Sequence, residues 1–456
     1  MVRVMSDAPA PRSPSPALAE APPSAGEGPV ERRGPLRGIR VLEFSQIVAG
    51  PLAGVLLSDL GAEVVKVEPL EGEARRNTGA VVPNEGKYFQ SLNRGKRSLV
   101  VDLQRAEGRA LIRRIVPGFD VVLTNYRAGV TARLGIDYAT LAALRPDLVY
   151  ANVTGFGDHG PHTTRAGSDI VAQAYSGLMA AEGKTDEHGA PLPLSATPVI
   201  DRSTGIAAAM GIAAALFERE RTGIGQELHL SLLQTGLELL SQRVMREPVH
   251  DATGRDPLVA ELARRRAEGA PYDDLIALRQ AEVPRFASHR LYYGGYHTRA
   301  GALVLGAVTR ANRDALRAIL DMHDATDDPD FDAAAPGAAE RVDAWRLEIQ
   351  SKLLARTAAA WVDAMLAAGV PASVVHFPEE MSDDPQVEAM GMMTALTHAI
   401  TGPQRVVGPL VRFARTPAEA AGPAPTLGAD TRAILAEAGI TAVEIERLCA
   451  DGVIGG

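Results

Sequence analysis

Hydrophobic positions follow two rhythms along the chain. From Leu36 onward, short apolar runs rich in β-branched residues (IRVLEF, AEVVKVE, RSLVVDL, DVVLTNY and DLVYANV) alternate with amphipathic segments such as residues 104 to 116. Continuous runs of that length predict strands buried on both faces, and their alternation with helical segments predicts an α/β fold with a parallel sheet covered by helices. The run GIAAAMGIAAALF, residues 205 to 217, predicts a buried, closely packed helix; its thirteen residues are too short and too weakly hydrophobic to span a bilayer. After about residue 235 the rhythm changes. A charged helical segment, LVAELARRRAEG, precedes the strand-like pieces LYYGGYHT and ALVLGAV, and helical stretches follow around 311 to 321 and 339 to 368. This pattern predicts a smaller α+β domain over residues 286 to 385, reached through a linker or insertion at 236 to 285. The segment from RVVGPLVRF onward predicts one strand, a Pro-rich connection and a short helix.

Composition narrows the function classes. A chain of 456 residues can bury a large core without disulfides or metal. Its one cysteine, Cys449, excludes a disulfide framework and a Cys-based zinc site, and points to a cytoplasmic protein. A net charge of -9 argues against nucleic acid as the main partner. Residues 1 to 35, rich in Pro, Ala and Ser, lack the apolar core of a signal peptide and are expected to form a disordered leader; no membrane association is expected.

The stretch VLEFSQIVAGPLAGVLLSDLGAEVVKVEP, residues 41 to 69, has the strand, glycine turn, helix and strand of a dinucleotide site. The fingerprint G-x-G-x-x-G is absent, because the turn holds only Gly50, Pro51 and Gly54, whereas a pyrophosphate needs bare backbone at the helix N-terminus. Glu68 lies near the position of a ribose-binding acid, a place any strand end can fill with a glutamate.

This stretch, followed in order by NRGKRSLVVDL, TNYRAGVTARLGI, LVYANVTGFGDHGP, SDIVAQAYSGLM, ALFERERTGIGQ and RVVGPLVRF, resembles the class III CoA-transferases, the group containing the formyl-CoA:oxalate and carnitine CoA-transferases. The resemblance runs from Leu36 nearly to the C-terminus. It implies a Rossmann-like large domain made from both chain ends, 36 to 235 and 386 to 456, a smaller domain between, and two subunits interlocked as a homodimer. It also implies acyl-CoA and a free carboxylic acid as substrates, with coenzyme A entering as substrate and no tightly bound cofactor or metal.

Candidate residues follow from the matched segments. TNYRAGVTARLG corresponds to the segment that holds CoA, and nominates Asn125, Tyr126, Arg127 and Arg133. CoA carries phosphates and an adenine ring, which call for guanidinium groups and a flat stacking surface; taken alone, the same residues read first as a surface turn with solvated arginines. In NRGKRSLVVDL, Lys96 and Arg97 are nominated to reach phosphate and the strand backbone near Val101 to meet adenine. This segment is not a P-loop, since its first glycine is missing. PVIDRSTGIAAAMG puts Asp201 at the family's catalytic aspartate. By its residues alone Asp201 reads as a helix N-cap, and the two roles are compatible, because a helix N-terminus favours a carboxylate and offers N–H groups to an oxyanion. Asp169, in RAGSDIVAQAYSG, matches a glutamate close to the active site of the formyl-CoA:oxalate enzyme and reads equally as the cap of its own helix.

The implied chemistry is covalent: Asp201 attacks the donor thioester, and an aspartyl anhydride and an aspartyl-CoA thioester follow. Two departures bear on acceptor recognition. Val48 stands where the formyl-CoA:oxalate enzyme has a glutamine, and that enzyme's glycine-rich loop has no counterpart here beyond Gly294 and Gly295. The 2-methylacyl-CoA racemases resemble the same fold and share the aspartate, but pair it with a histidine where this chain has Ser168; His159 and His162 read as loop residues. A catalytically silent CoA-binding protein is the third alternative, opposed by the intact motif around Asp201.

Overall fold

The computed structural model describes residues 32–282, 287–333 and 335–456. They form two compact units: one takes the chain up to Met245 together with Glu388–Gly456, the other is Arg246–Val387. Of the expected leader, residues 1–31 lie outside the described residues. Arg32 already belongs to the body, donating to Ser58 Oγ (3.1 Å), the Ala62 carbonyl (2.8 Å) and the Gly95 carbonyl (2.8 Å), so the body begins ahead of the expected boundary at Leu36.

The first unit is built on seven strands: β1 (Arg40–Phe44), β2 (Glu63–Glu68), β3 (Arg97–Val101), β4 (Val121–Thr124), β5 (Val149–Thr154), β6 (Gln226–Ser231) and a short terminal strand described below. The six long strands are parallel and run in the order β3-β2-β1-β4-β5-β6. Alternate residues of each strand enter opposite faces. Leu42, Val65, Leu99 and Val122 pack on one side beneath the helices Ala106–Ile115, Thr431–Glu437 and Ala442–Ala450. Val41, Val64, Val121 and Val149 pack on the other beneath Ala49–Asp59 and the long helix Val199–Thr222. Both faces are covered, which is why these strands read as unbroken apolar runs.

The described segments before and after the second unit both belong to this one. The second unit supplies β7 (Tyr293–His297), β8 (Ala302–Gly306) and β9 (Ala372–Val374), paired antiparallel in one sheet beside the helices Arg310–Leu320, Ala338–Leu353 and Ala358–Ala367. Much of the segment expected as a linker is helical there, as Arg255–Ala267 and Tyr272–Glu282. The chain then re-enters the first unit with an antiparallel hairpin, β10 (Met393–His398) and β11 (Gly402–Val407), and ends on β12 (Ile454–Gly455), which pairs antiparallel with β3.

The long helix is the one segment among the described residues that is long and apolar enough by composition to cross a membrane, with a mean hydropathy of 1.3 over its most apolar stretch. It packs closely along Ala49–Asp59: a side chain at Gly205 would sit 2.7 Å from the Ala49 carbonyl oxygen.

Candidate active site

The strand order reverses between β1 and β4, and in open parallel sheets ligands bind outside the carboxyl ends of the strands at such a point. A cavity of about 570 Å³ lies there. Its walls include the segment after β1 (Gln46 to Ala49), the segment after β4 (Asn125 to Ala128), Thr154 at the end of β5 with Gly155 beyond it, the residues Thr163, Arg165, Gly167 and Ser168, and Asp201. Gly155 and Gly167 pinch the base of the loop between them: a Cβ on Gly155 would stand 2.7 Å from the Gly167 Cα, so only glycine permits the approach.

Asp201 is the third residue of the long helix, whose N-cap position is Pro198, so it does not cap that helix as expected. The cap comes from Asp169, on the neighbouring helix Asp169–Ser176: its Oδ1 accepts from the Ile200 N–H at 2.8 Å and the Asp201 N–H at 3.0 Å. Its Oδ2 accepts from Gln173 Nε2 at 2.6 Å. Asp169 thus caps the helix that carries Asp201 rather than its own. Asp169 therefore takes two of the first-turn N–H groups, those of Ile200 and Asp201, for its own carboxylate. Burial first, and then the Asp169 charge, push Asp201 up to about 6, while Arg75 pulls it down. No described residue donates a hydrogen bond to its carboxylate.

The other nominated residues divide into two groups. Asn125, Tyr126 and Arg127 line the cavity; Arg133 is exposed on the short helix Val130–Leu134, whose Val130 lines it. Asn125 is engaged with protein: its Oδ1 accepts from the Gln46 N–H (2.9 Å) and its Nδ2 donates to the Gln46 carbonyl (2.7 Å). Burial raises the Tyr126 hydroxyl above its ordinary range, leaving a neutral ring in the wall. Lys96, Arg97 and Val101 are not brought to the cavity. The Lys96 ammonium is fully buried against Glu43, and Arg97 is spent on Glu63 and Glu437, at 2.8 and 2.7 Å. Val101 is covered by β12, which pairs with it through Ile454. Glu68 is likewise held, by Arg76 at 2.7 and 2.8 Å.

Residues 36–431 match the family described as CoA-transferase family III. This chain is a member of that family. It is similar to the succinate–glutarate CoA-transferase of Agrobacterium fabrum, 34% identical over 89% of this chain and 96% of that protein. It is also similar to the acetyl-CoA:oxalate CoA-transferase of Acetobacter aceti, 32% identical over 80% and 87% respectively. The crystal structure of a CAIB/BAIF family protein from Brucella suis superposes with a TM-score of 0.69 at 28% identity, over 89% of this chain and all of that one. The protein is a CoA-transferase, with CoA thioesters and carboxylic acids as its substrates.

Three features of this family III transferase carried no signal in the sequence reading. Ile47, in the cavity wall, has φ +74°, a left-handed conformation that costs a β-branched residue of order 1–3 kcal/mol and persists only where its surroundings enforce it. Arg165 lines the cavity with its guanidinium over the rings of Phe156 and Tyr175, 5.5 and 5.7 Å from their centroids. Arg75 is the cation whose charge reaches Asp201, and its guanidinium lies 4.6 Å from the Tyr88 centroid. Spacing marks none of the three: Ile47 and Arg165 lie in loops and Arg75 in the short 3-10 turn Ala74–Arg76.

Proposed function

We propose that the transferase works through covalent acylation of Asp201. The carboxylate adds to the thioester carbonyl of the donor acyl-CoA, giving a mixed anhydride and releasing CoA thiolate. The thiolate then attacks the aspartyl carbonyl, freeing the donor acid and leaving an aspartyl-CoA thioester. An acceptor carboxylate attacks that thioester, and CoA thiolate resolves the second anhydride to the new acyl-CoA and a restored Asp201. Splitting one exchange into activated steps is the gain of nucleophilic catalysis. The observation that carries this reading is an aspartate in the cavity wall whose carboxylate accepts no hydrogen bond from the described residues and is pushed up to about 6 by burial and the Asp169 charge.

In this scheme Tyr126 offers a stacking face to adenine, and Arg127 and Arg133 offer guanidinium groups to the CoA phosphates. Asn125 fixes the loop after β1. Asp169 positions Asp201 and touches no substrate. The names of the relatives, succinate–glutarate and acetyl-CoA:oxalate transferases, support a dicarboxylic acid on the acceptor side. Among the described residues no histidine lines the cavity, which favours transfer over a proton exchange of the racemase kind.

The test is chemical trapping during exchange between acyl-CoAs and a panel of free mono- and dicarboxylic acids. Acid-quenched mixtures should carry an adduct on the peptide containing Asp201, and hydroxylamine should convert it to a hydroxamate. Exchange without any such adduct would overturn the covalent reading.

We also infer a homodimer. Ile206, Met210 and Phe217 project from the long helix with exposures of 48%, 69% and 67%, and Leu410 and Val411 lie beside the first two in one apolar groove. Contiguous apolar surface of this kind marks an interface. Sedimentation at micromolar concentration should give twice the chain mass, and a monomer there would remove the inference.

A further inference from the structure

Beneath the loop after β1 lie four buried charged residues: Glu43 of β1, Lys66 of β2, Glu73 beyond β2, and Lys96 just ahead of β3. Lys96 Nζ sits 2.8 Å from Glu43 Oε2, donates to Glu43 Oε1 at 3.0 Å, and also reaches the Pro51 carbonyl and Asn93 Oδ1, both at 2.9 Å. Lys66 Nζ donates to the Ser45 carbonyl at 2.7 Å and lies 3.3 Å from Glu43 Oε1 and 3.2 Å from Glu73 Oε2. Ser45 Oγ closes the set, donating to Glu43 Oε1 at 2.8 Å. The helix Ala49–Asp59 rests on this cluster so closely that a Cβ on Gly54 would stand 1.9 Å from Glu43 Oε2. The two ends of the strained segment are therefore both held from below, at Ser45 by Lys66 and at Pro51 by Lys96, while Asn125 holds Gln46 from the side.

We propose that Lys96 is a positioning residue for CoA transfer, clamping the Ser45–Pro51 segment through Glu43 and the Pro51 carbonyl so that the wall formed by Gln46, Ile47, Val48 and Ala49 keeps the shape the substrate meets. A left-handed isoleucine does not keep its conformation unaided, and the buried charges supply fixed, directional constraints on both sides of it. Lys96 touches no substrate. Its clamp is a matter of charge: burial and the facing Lys66 bring the ammonium down to about 8, against the pull of Glu43 and Glu73. Because this value lies below the ordinary one for lysine, the clamp is intact below about pH 8 and is lost as pH rises through it. The proposal rests on the CoA-transfer reading above.

Two measurements test it. In the wild type, affinity for a non-hydrolysable acyl-CoA should weaken at least threefold between pH 7 and pH 9, with unchanged far-UV circular dichroism; flat affinity overturns the proposal. In the charge-balanced double variant Lys96→Met with Glu43→Gln, which removes one charge of each sign, kcat/KM for the donor should fall about 10- to 100-fold, as expected for a misplaced wall. The alkaline limb near pH 8 should vanish with it. A folded double variant with wild-type kcat/KM and an unchanged alkaline limb overturns the proposal. Absence of the Asp201 adduct in the wild type is instead a failure of the covalent reading, and leaves the affinity arm to decide on Lys96.

Discussion

Asp201→Asn should abolish CoA exchange, lowering kcat by roughly 10⁴-fold or more, and yet leave the protein at least as stable as the wild type at pH 7. The first effect follows from removing the nucleophile while keeping its size. The second follows from linkage. Burial and Asp169 raise the folded-state value of Asp201 to about 6, above an unfolded value of about 3.9. The folded protein therefore binds this proton more tightly than the unfolded chain, and stability falls as pH rises from about 4 to about 6. Above that window the charged carboxylate is a standing cost to the fold, which an amide avoids. Thermal melts should place the Asn variant at or above the wild type at pH 7, with the difference closing at pH 4. Since Asp169 supplies the helix cap, no capping loss offsets the gain. Undiminished exchange, after deamidation is excluded, would remove Asp201 from the chemistry. A clear drop in melting temperature at pH 7 would make its role structural.

The sheet was legible because its strands are buried on both faces: the runs around Leu42, Val65, Leu99, Val122 and Tyr150 are all strands, in the parallel arrangement their alternation with helices implied. β6 was not, because it lies at the sheet edge and is only partly buried, so Leu228 and Leu230 alternate with Glu227 and His229 instead of forming a run. The stretch from 339 to 368, expected to be helical, is made of two helices, Ala338–Leu353 and Ala358–Ala367. Thr357 starts the second by accepting from the Ala360 N–H. Within the site, Asn125, Tyr126, Arg127 and Asp201 all line one cavity. Lys96 and Arg97 could not be sorted from them by sequence, because a basic pair after a turn looks the same whether it meets a phosphate or a buried glutamate. Only the fold brings Glu43, from β1, and Glu437, from the returning C-terminal segment, against them.

Asp169 should separate charge from capping. Asp169→Asn keeps an Oδ1 acceptor for the Ile200 and Asp201 N–H groups while removing the negative charge that helps raise Asp201. The acid limb of kcat/KM should therefore move to lower pH, with activity at pH 7 within about tenfold of the wild type, a modest loss arising where the new amide meets Gln173 Nε2, itself a donor. Asp169→Ala removes the acceptor as well. Two backbone N–H groups and the Gln173 amide then lose a partner, at roughly 1–3 kcal/mol for each group left unsatisfied, and the first turn carrying Asp201 loosens. A displacement of about 1 Å in a reacting group costs on the order of 10²-fold, so kcat should fall by about that factor and the melting temperature should fall with it. The order of effects is the diagnostic: Asn shifts the pH profile and spares the rate, whereas Ala loses both rate and stability. If the acid limb of the Asn variant stays near pH 6, the Asp169 charge does not set the ionisation of Asp201, and desolvation of the carboxylate in the cavity wall alone accounts for it.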